Sequence, residues 1–600
     1  MNGPNEGDGT HRVNDLQENA TGRARLAGGM AVLVVLVATL WPLRAALSTG
    51  AVPGAGPDVV STLWGNWWFT RVGVVGAFGG WTDLVNYPAG AVGALLSPST
   101  ALCWALARPL LGDGGAMSAA VVLQVLGLAG GAGLLCRRIG GSWAAVTVAA
   151  LVVVAARFLP YGAGEGSVVA IAALPLPLGL WALVGRVREQ ASTRGIGLGE
   201  AVLLAACMPA LALENPYLAP ILPAAVGIAW ARSWRPGGSR RVRLQLGMAL
   251  LVGGIGVLLV SELFGAAAAS DYPVERAGEA VRLLGMDLPV VDMPWARAAP
   301  RDLFWPGPIE WTIDVNSARD NPGGGRYLGL AALLLAVTGV LARPRQSAPW
   351  AVLGLSGILL GLGSMVGRVG GPFLYLNAVL FMVARPLTQP TRFLVVGLIG
   401  LAICAGLAVD AIKQRYGRRA ALVPLAAVLI DGFVAGGPSL RLPVLELPRL
   451  SCAADLPDGA VLTWPTDALG GWPAAAQLLQ MAHGHPAAHR GIASWRLKEP
   501  HASETLRRLG YDRHTASGID AAGLVAVGYR AVLVEEETPA DEREWLRDTL
   551  GEPVASCDGI VVHDLGLATG RRSPAPRAGF DPARAAGRLE AEPTAGGTGR

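Results

Sequence analysis

The sequence predicts a polytopic α-helical membrane protein with about eleven spanning helices and a C-terminal α/β domain outside the cytoplasm. Three observations lead there. Hydrophobic residues make up 52% of the 600 positions and charged ones only 16%, with a mean hydropathy of +0.43, so lipid is the main solvent. Apolar runs recur at lengths near the ~20 residues that cross about 30 Å of hydrocarbon. Basic residues cluster between those runs, as short cytoplasmic loops require.

Arg23 and Arg25 precede the first run, Ala27 to Leu47, which has Trp41 and Arg44 near its far end. It exceeds a signal-peptide core and no A-x-A site follows cleanly, so an uncleaved first helix with its amino end inside is expected. Further runs lie at 116–136, 142–160, 168–185, 199–213, 216–231, 244–262, 327–342, 349–366, 393–412 and 420–436. Two more, 94–111 and 373–383, are short or broken by Pro98, Pro109 and flanking glycines and prolines. Arginine parity decides them. Arg137-Arg138, Arg186 to Arg194, Arg232 to Arg243, Arg343 with Arg345, and Lys413 to Arg419 should share the cytoplasmic side. A full crossing by 94–111 would put Arg137 outside, and one by 373–383 would do the same to Lys413. Both segments are therefore expected to be interfacial or re-entrant.

The resulting plan has a disordered cytoplasmic tail (1–26) and a membrane region (27–437) with outer segments at 48–115, 264–326 and 366–392. A soluble α/β domain (438–567) and a disordered tail (568–600) follow. In the soluble domain, 460–464, 531–535 and 559–563 read as strands, and 474–483, 503–510 and 540–550 as helices. Cys103, Cys136, Cys207 and Cys404 lie in apolar runs as small buried residues, which leaves Cys452 and Cys557 as the pair able to form a disulfide. The net charge of +5 is small and spread between apolar runs, so nucleic-acid binding is disfavoured.

Polar residues that could carry chemistry concentrate in the outer segments. The first holds Asp58 with Trp64, Trp67 and Trp68, then Trp81, Asp83, Asn86 and Tyr87-Pro88. A carboxylate just past the first helix, followed by closely spaced indoles, suits a site at headgroup level, where the rings could stack on sugar or isoprenoid. The plainer alternatives are an ordinary loop acid and an interfacial aromatic belt. Glu165 sits in a glycine-rich outer turn, and Glu214-Asn215 in a short turn read as a solvated hairpin tip. Asp410 is read as interfacial, and Asp431 as lying near the outer end of the last span with no visible partner. The spacing of His483, His485 and His489 around Pro486 suits a solvated loop better than a metal site.

These residues resemble polytopic glycosyltransferases of the GT-C type, which use lipid-phosphate-linked sugars. In that group an acidic residue in the loop after the first helix serves as catalytic base or metal ligand, and Asp58 stands at that place. Tyr87-Pro88-Ala-Gly90, Gly164-Glu165, Tyr327-Leu328-Gly329, Arg385-Pro386, Pro390-Thr391-Arg392-Phe393 and Gln480-Met-Ala-His483-Gly484-His-Pro486 with Gly491 look like stretches of bacterial members. The resemblance spans Arg23 to about 567. It implies sugar transfer of the inverting type at the plasma membrane, from a polyprenyl-phosphate donor to an envelope lipid, glycan or protein. Asp58 would be the base, and Arg385 and Arg392 would cradle phosphate. Glu165 would hold a metal or the acceptor, and Trp64, Trp67 and Trp68 would contact substrate. The commoner pattern has two adjacent acids where this chain has Asp58 alone, so no metal ligand is assigned and a divalent cation stays an open expectation.

Two other readings stay open. A transporter or flippase of a lipid-linked substrate would use the same spans, though no internal repeat is visible and the acids gather on one face. A non-catalytic scaffold would depend wholly on its C-terminal domain, whereas an enzyme truncated after Gly437 should keep some activity. Sidedness carries most of this reasoning. A reporter fused after Gly570 is expected to read extracytoplasmic, and a cytoplasmic signal would undo the topology.

Overall fold

The computed structural model describes residues 32–54, 57–88, 90–94, 97–159, 171–189, 198–236, 239–268, 279–283, 286–290, 303–305, 326–362, 390–436, 442–464, 474–489, 496–497, 505–506, 508–511 and 519–569. The tails expected to be disordered, and most of outer segments 264–326 and 366–392, fall outside these stretches. So do the 373–383 run and positions 503, 504 and 507 of the helix expected at 503–510; 505, 506 and 508 are helical.

The membrane region is helical: α1 (Val32–Thr49), α2 (Pro57–Ala77), α3 (Pro98–Arg138), α4 (Trp143–Ala155), α5 (Pro175–Glu189), α6 (Leu198–Glu214), α7 (Ile221–Arg232), α8 (Arg240–Ala268), α9 (Leu330–Ala342), α10 (Pro344–Gly361), α11 (Leu394–Tyr416) and α12 (Leu422–Gly436). Each predicted spanning run overlaps one of them. Among the described residues, four helices are long and apolar enough to cross a membrane: α1, α3, the Arg240–Val260 part of α8, and α11 with its preceding turn. Hydropathy registers apolar residues in any backbone conformation, so runs and helices differ at their ends. The predicted run 142–160, for instance, loses its helix at Ala156, which is extended.

At the centre, α11 is buried throughout its apolar length. Small residues let its neighbours approach to backbone contact. A Cβ built on Gly400 would lie 2.4 Å from the Gly354 Cα of α10, and one on Gly339 of α9 would lie 2.0 Å from the Cys404 carbonyl oxygen. Without a hydrophobic drive between helices in lipid, such close packing supplies the attraction. Gly112 breaks α3, with φ 67° and ψ −178°, a conformation open to glycine. The break separates the arm over 98–111, excluded from the spans by arginine parity, from the apolar stretch that follows. Leu102, Leu106 and Leu110 are exposed along the arm at four-residue spacing, a stripe suited to the lipid boundary.

Three acids that looked functional or solvated serve as caps on helices from distant segments. Glu214 is buried, not a solvated tip: it accepts from Ser97 Oγ at 2.8 Å and from the Ser99 backbone N–H at 2.8 Å, at the start of α3. Asp410 is likewise buried. It accepts from the Ser142 backbone N–H at 3.0 Å and from the Ser142 hydroxyl at the start of α4, with Arg343 3.7 Å away. Asp431 has the partners that sequence alone did not reveal, taking the Tyr327 hydroxyl proton donor and the Ala331 backbone N–H at the start of α9. Each carboxylate meets free N–H groups and the positive end of a helix, which makes a charge tolerable at membrane depth.

The C-terminal region has a four-stranded sheet from β7 (Ala460–Trp464), β9 (Tyr529–Glu535), β10 (Ala555–Cys557) and β11 (Ile560–Asp564), in the order β10-β11-β9-β7. The β7–β9 pair is parallel and the others antiparallel. Helices α13 (Ala474–His483), α14 (Ala521–Val527), α15 (Ala540–Leu550) and α16 (Leu565–Ala568) accompany it. The expected strands and the helices at 474–483 and 540–550 are in place; α14 and β10 were not anticipated. A Cys452–Cys557 disulfide, with Cα atoms 6.0 Å apart, closes a loop of 105 residues. In the chain-entropy view, closing a loop of about that length stabilises by ~4.7 kcal/mol.

This region is not an appended unit. The first outer segment contributes β1 (Val52–Pro53), β2 (Phe78–Thr82) and β3 (Ala91–Ala94), of which β1 pairs with β6 (Val444–Leu445) and β3 with β8 (Arg496–Leu497). A further hairpin, β4 (Glu279–Leu283) with β5 (Met286–Val290), belongs to the second outer segment. Backbone bonds join Asn86 to His489 at 2.9 Å and Tyr87 to Ala487 at 3.1 Å. The Tyr529 hydroxyl donates to the Tyr87 carbonyl, and the Tyr87 hydroxyl donates to the Val527 carbonyl at 3.2 Å. Gly528, at φ +114°, leaves room for that hydroxyl, which would lie 2.0 Å from any Cβ there. Truncation after Gly437, expected to leave an enzyme with some activity, would also strip the outer segment of these partners. The truncated chain is expected to show red-shifted tryptophan emission as Trp64 and Trp68 become wet. An emission maximum equal to that of the full chain would show that the segment folds alone.

Candidate functional site

Pro57 opens α2 at the first helical position, which suits its fixed φ and missing N–H. Three residues earlier, Gly54 donates its backbone N–H to the Pro443 carbonyl at 2.7 Å, fixing where the helix starts. Asp58 thus stands in the first turn of a helix anchored to the C-terminal region, not in a free loop. Its side chain lies outside what the structure describes.

Trp64 and Trp68 do not present their faces to substrate. Both are buried, with rings stacked at 6.4 Å and 9°. The apolar run that suggested a headgroup belt is instead a helix face covered by α13. Ser61 Oγ donates to Gln477 Oε1 at 3.2 Å and Trp64 Nε1 to Gln480 Oε1 at 2.7 Å. The partners advance together by three residues, so α2 and α13 run parallel and in step.

Gln480 is the centre of this contact. Its Oε1 also takes a bond from His489 Nε2 at 2.6 Å, and its Nε2 donates to the carbonyls of Leu84 and, at 3.0 Å, His485. Indole donates only, so the oxygen must face Trp64, and His489 must carry its proton on Nε2. The His489 ring stands edge-on to Trp64 at 5.7 Å. The solvated-loop reading of the histidines is corrected accordingly, since burial pushes the His489 ring down to about 3. Burial, with His485 and His489 nearby, pushes His483 down to about 3. His483 Nδ1 accepts the His485 backbone N–H at 3.0 Å. Among the described residues no group of three His, Cys, Asp or Glu could hold a metal ion.

On another side of α2, Trp67 lines a cavity of about 680 Å³ between the outer end of α1, the α3 arm, the 446–449 segment and α13. Trp104 and Arg108 from the arm, Asp113 just past the Gly112 break, and Glu446 and Arg449 complete its polar and aromatic lining. Arg71 lies over the Trp67 ring at 5.1 Å and Arg108 over Trp104 at 4.9 Å, while Arg108 pairs with Asp113 at 2.8 Å. Sequence reasoning missed this set. The four-residue spacing of Trp104 and Arg108 was the available signal; Glu446 and Arg449 arrive only through tertiary pairing of β1 with β6.

Arg392 sits in a 3₁₀ turn, Pro390–Phe393, with its guanidinium over the Tyr217 ring at 4.6 Å. It is not part of the cavity lining. Glu165 and Arg385 lie outside the described residues, so their convergence with Asp58 stays an expectation.

No protein-family model and no curated protein matches this chain. Solved structures do. ArnT from Cupriavidus metallidurans in the apo state is similar at a TM-score of 0.50 and 14% identity, over 92% of this chain and 100% of that one. The same protein bound to undecaprenyl phosphate gives 0.46 and 13%, over 91% and 98%. The archaeal oligosaccharyltransferase AglB from Archaeoglobus fulgidus, in complex with an inhibitory peptide and a dolichol-phosphate, gives 0.47 and 11%, over 88% and 71%. The likeness is one of fold, shared with ArnT, and it agrees with a membrane location for the apolar helices of this chain.

The buried histidines make stability depend on pH. Both are held neutral in the folded chain, whereas an unfolded histidine takes a proton near pH 6.5. The unfolded state therefore binds more protons below about pH 6.5, and stability falls with pH down to the folded values near 3. His563, also lowered by burial, acts the same way; Glu535, raised by burial and Glu537, acts oppositely. The unfolding free energy followed by tryptophan emission is expected to drop between pH 7 and pH 5, by ~2 kcal/mol for the fully buried His489. Identical values would show that the rings are not held neutral.

Proposed function

We propose that this protein is a membrane glycosyltransferase that moves a sugar from a polyprenyl-phosphate-linked donor to an envelope lipid, glycan or protein at the extracytoplasmic face. The observation that carries this reading is the position of Asp58, a lone carboxylate in the first turn of α2 just beyond α1, on a fold similar to that of ArnT over the whole length of both chains. ArnT has been solved with undecaprenyl phosphate and AglB with a dolichol-phosphate, ligands of the class proposed here as donor carrier.

The acceptor hydroxyl loses its proton to Asp58 as its oxygen attacks the anomeric carbon, and the C–O bond to the polyprenyl phosphate breaks. That single displacement inverts the anomeric centre. Arg392, with Arg385 across the proline-rich turn, is the candidate cradle for the departing phosphate. Glu165 is the candidate second acid, for the acceptor or a divalent cation. The Cys452–Cys557 disulfide supports an oxidising, extracytoplasmic setting for this end of the molecule. The basic loops meet at the other end, where Arg138 pairs with Glu200 at 2.6 Å and Arg343 with Asp410 at 3.7 Å, as cytoplasmic loops would.

Asp58→Asn is expected to lower transfer from a polyprenyl-phosphate sugar in proteoliposomes by about 10²–10⁴-fold, the usual contribution of a general base, with insertion and unfolding midpoint unchanged. Undiminished turnover would remove Asp58 from that role. Movement of the lipid-linked sugar across the bilayer without transfer, at equal rates in both proteins, would mark a flippase instead.

A further inference from the structure

Five arginines gather where α7 turns into α8: Arg232, Arg235, Arg240, Arg241 and Arg243. From Asn215 to Ser261 the chain has no aspartate or glutamate to balance them. Among the described residues none of the five forms an ion pair. Glu200 belongs to α6, which packs along α8 through Met208 and Gly253, but its carboxylate is taken by Arg138.

The turn is held in one shape. Ser233 donates its backbone N–H to the Ala229 carbonyl at 3.1 Å and its hydroxyl to the Trp230 carbonyl at 2.6 Å, and Trp234 donates to the Ala231 carbonyl at 3.3 Å. Arg243 of α8 lays its guanidinium over the Trp234 ring at 5.0 Å, and Trp230 meets that ring edge-on at 5.8 Å. Gly247 seats Trp230 against α8, because a Cβ there would lie 3.2 Å from the indole Nε1. Trp234 is thus fixed beside the arginines while 60% exposed.

Two apolar stripes lead into this turn. On α7, Ala224, Ile228 and Arg232 are exposed at four-residue spacing; on α8, Arg241, Leu244, Met248, Leu251 and Ile255 are exposed at spacings of three and four. Residues so spaced share one helix face, so each stripe ends in an arginine. The Arg240–Val260 part of α8 is long and apolar enough to cross a membrane. Acyl chains covering these stripes place Arg232, Arg241 and Trp234 at the level of the phosphates, where basic and indole side chains are favoured.

A soluble polyanion would meet the arginines and leave both stripes bare. A zwitterionic lipid would cover the stripes and bring no net charge to five cations. A phospholipid of net negative charge satisfies both. We propose that the α7–α8 turn is a binding site for an anionic phospholipid of the leaflet it faces, with Arg232 and Arg241 holding the headgroup. On the topology given by arginine parity that leaflet is the cytoplasmic one. The site is independent of the transferase reading.

The test uses the full chain in a neutral detergent. Dansyl-labelled phosphatidylglycerol is bound, read by energy transfer from tryptophan, and displaced with unlabelled phosphatidylglycerol or phosphatidylcholine. Phosphatidylglycerol is expected to displace the label at a concentration at least about 10-fold lower, an advantage that shrinks in about 0.5 M salt. Arg232→Gln/Arg241→Gln alters exposed side chains that form no ion pair, so its unfolding midpoint is expected to match the wild type. It is expected to weaken phosphatidylglycerol ~5-fold per arginine, about 25-fold together. Arg418→Gln/Arg419→Gln, in the exposed basic turn before α12, is the control and is expected to keep the wild-type value. Equal displacement by the two lipids, indifference to salt, or an equal loss in both double variants would overturn the proposal. Displacement of the label by a soluble polyglutamate peptide as effectively as by phosphatidylglycerol would mark an acidic protein as the partner and overturn it as well.

Discussion

The carboxamide of Gln480 uses both of its oxygen lone pairs and both N–H groups, on Trp64, His489, Leu84 and His485. Three stretches of chain meet α13 at that one planar group: α2, the turn before β3, and the loop after α13 that carries His485 and the buried His489. Each partner is buried or half-buried, so a missing bond would leave a polar group unmet at about 1–3 kcal/mol. The geometry therefore specifies one register of α13 against α2, and Ser61 on Gln477 repeats that register one turn away. Through it the C-terminal sheet, the first outer segment and the start of α2 behave as one body. The place of Asp58 in the fold is a consequence.

Withdrawal from water imposes the complementary constraint. A carboxylate out of reach of solvent is expensive unless several donors meet it, and Glu214, Asp410 and Asp431 each find theirs at the first amide groups of a helix remote in sequence. These acids stitch α6 to α3, α11 to α4 and α12 to α9. Their burial is a matter of architecture, so an intramembrane acid in this chain is not by itself a pointer to chemistry. The cavity beside α2 is left as the place where charged and aromatic side chains meet.

Much of this was legible along the chain. Period-two patterns marked Ala460 to Trp464 and the core of β9, and an amphipathic pattern with acidic residues at its start marked Ala540 to Leu550, because these elements follow from local alternation. Arginine spacing set 94–111 apart from the run that follows it, and a break at Gly112 lies between the two within one long helix. The tryptophans misled because an indole at the membrane boundary and one buried under a soluble domain look identical in sequence. The difference lies in α13, some four hundred residues away. The histidines misled for the same reason: His489 is followed by Arg490 in a polar stretch, and only Gln480 and Trp64 turn it into a core residue.

Sequence alone pointed to a membrane chain, to where most of its helices fall, to Cys452 and Cys557 as the pair able to bridge, and to an acid-bearing first outer segment that resembles that of GT-C enzymes. Those properties depend on residue type and short-range spacing. Tertiary structure decided that the C-terminal region is part of the first outer segment, that the buried acids cap helices, and that Trp104, Arg108, Glu446 and Arg449 share one cavity with Trp67. Hydrogen bonds and cavity walls require atoms within a few ångströms, and here those atoms belong to residues up to 442 positions apart.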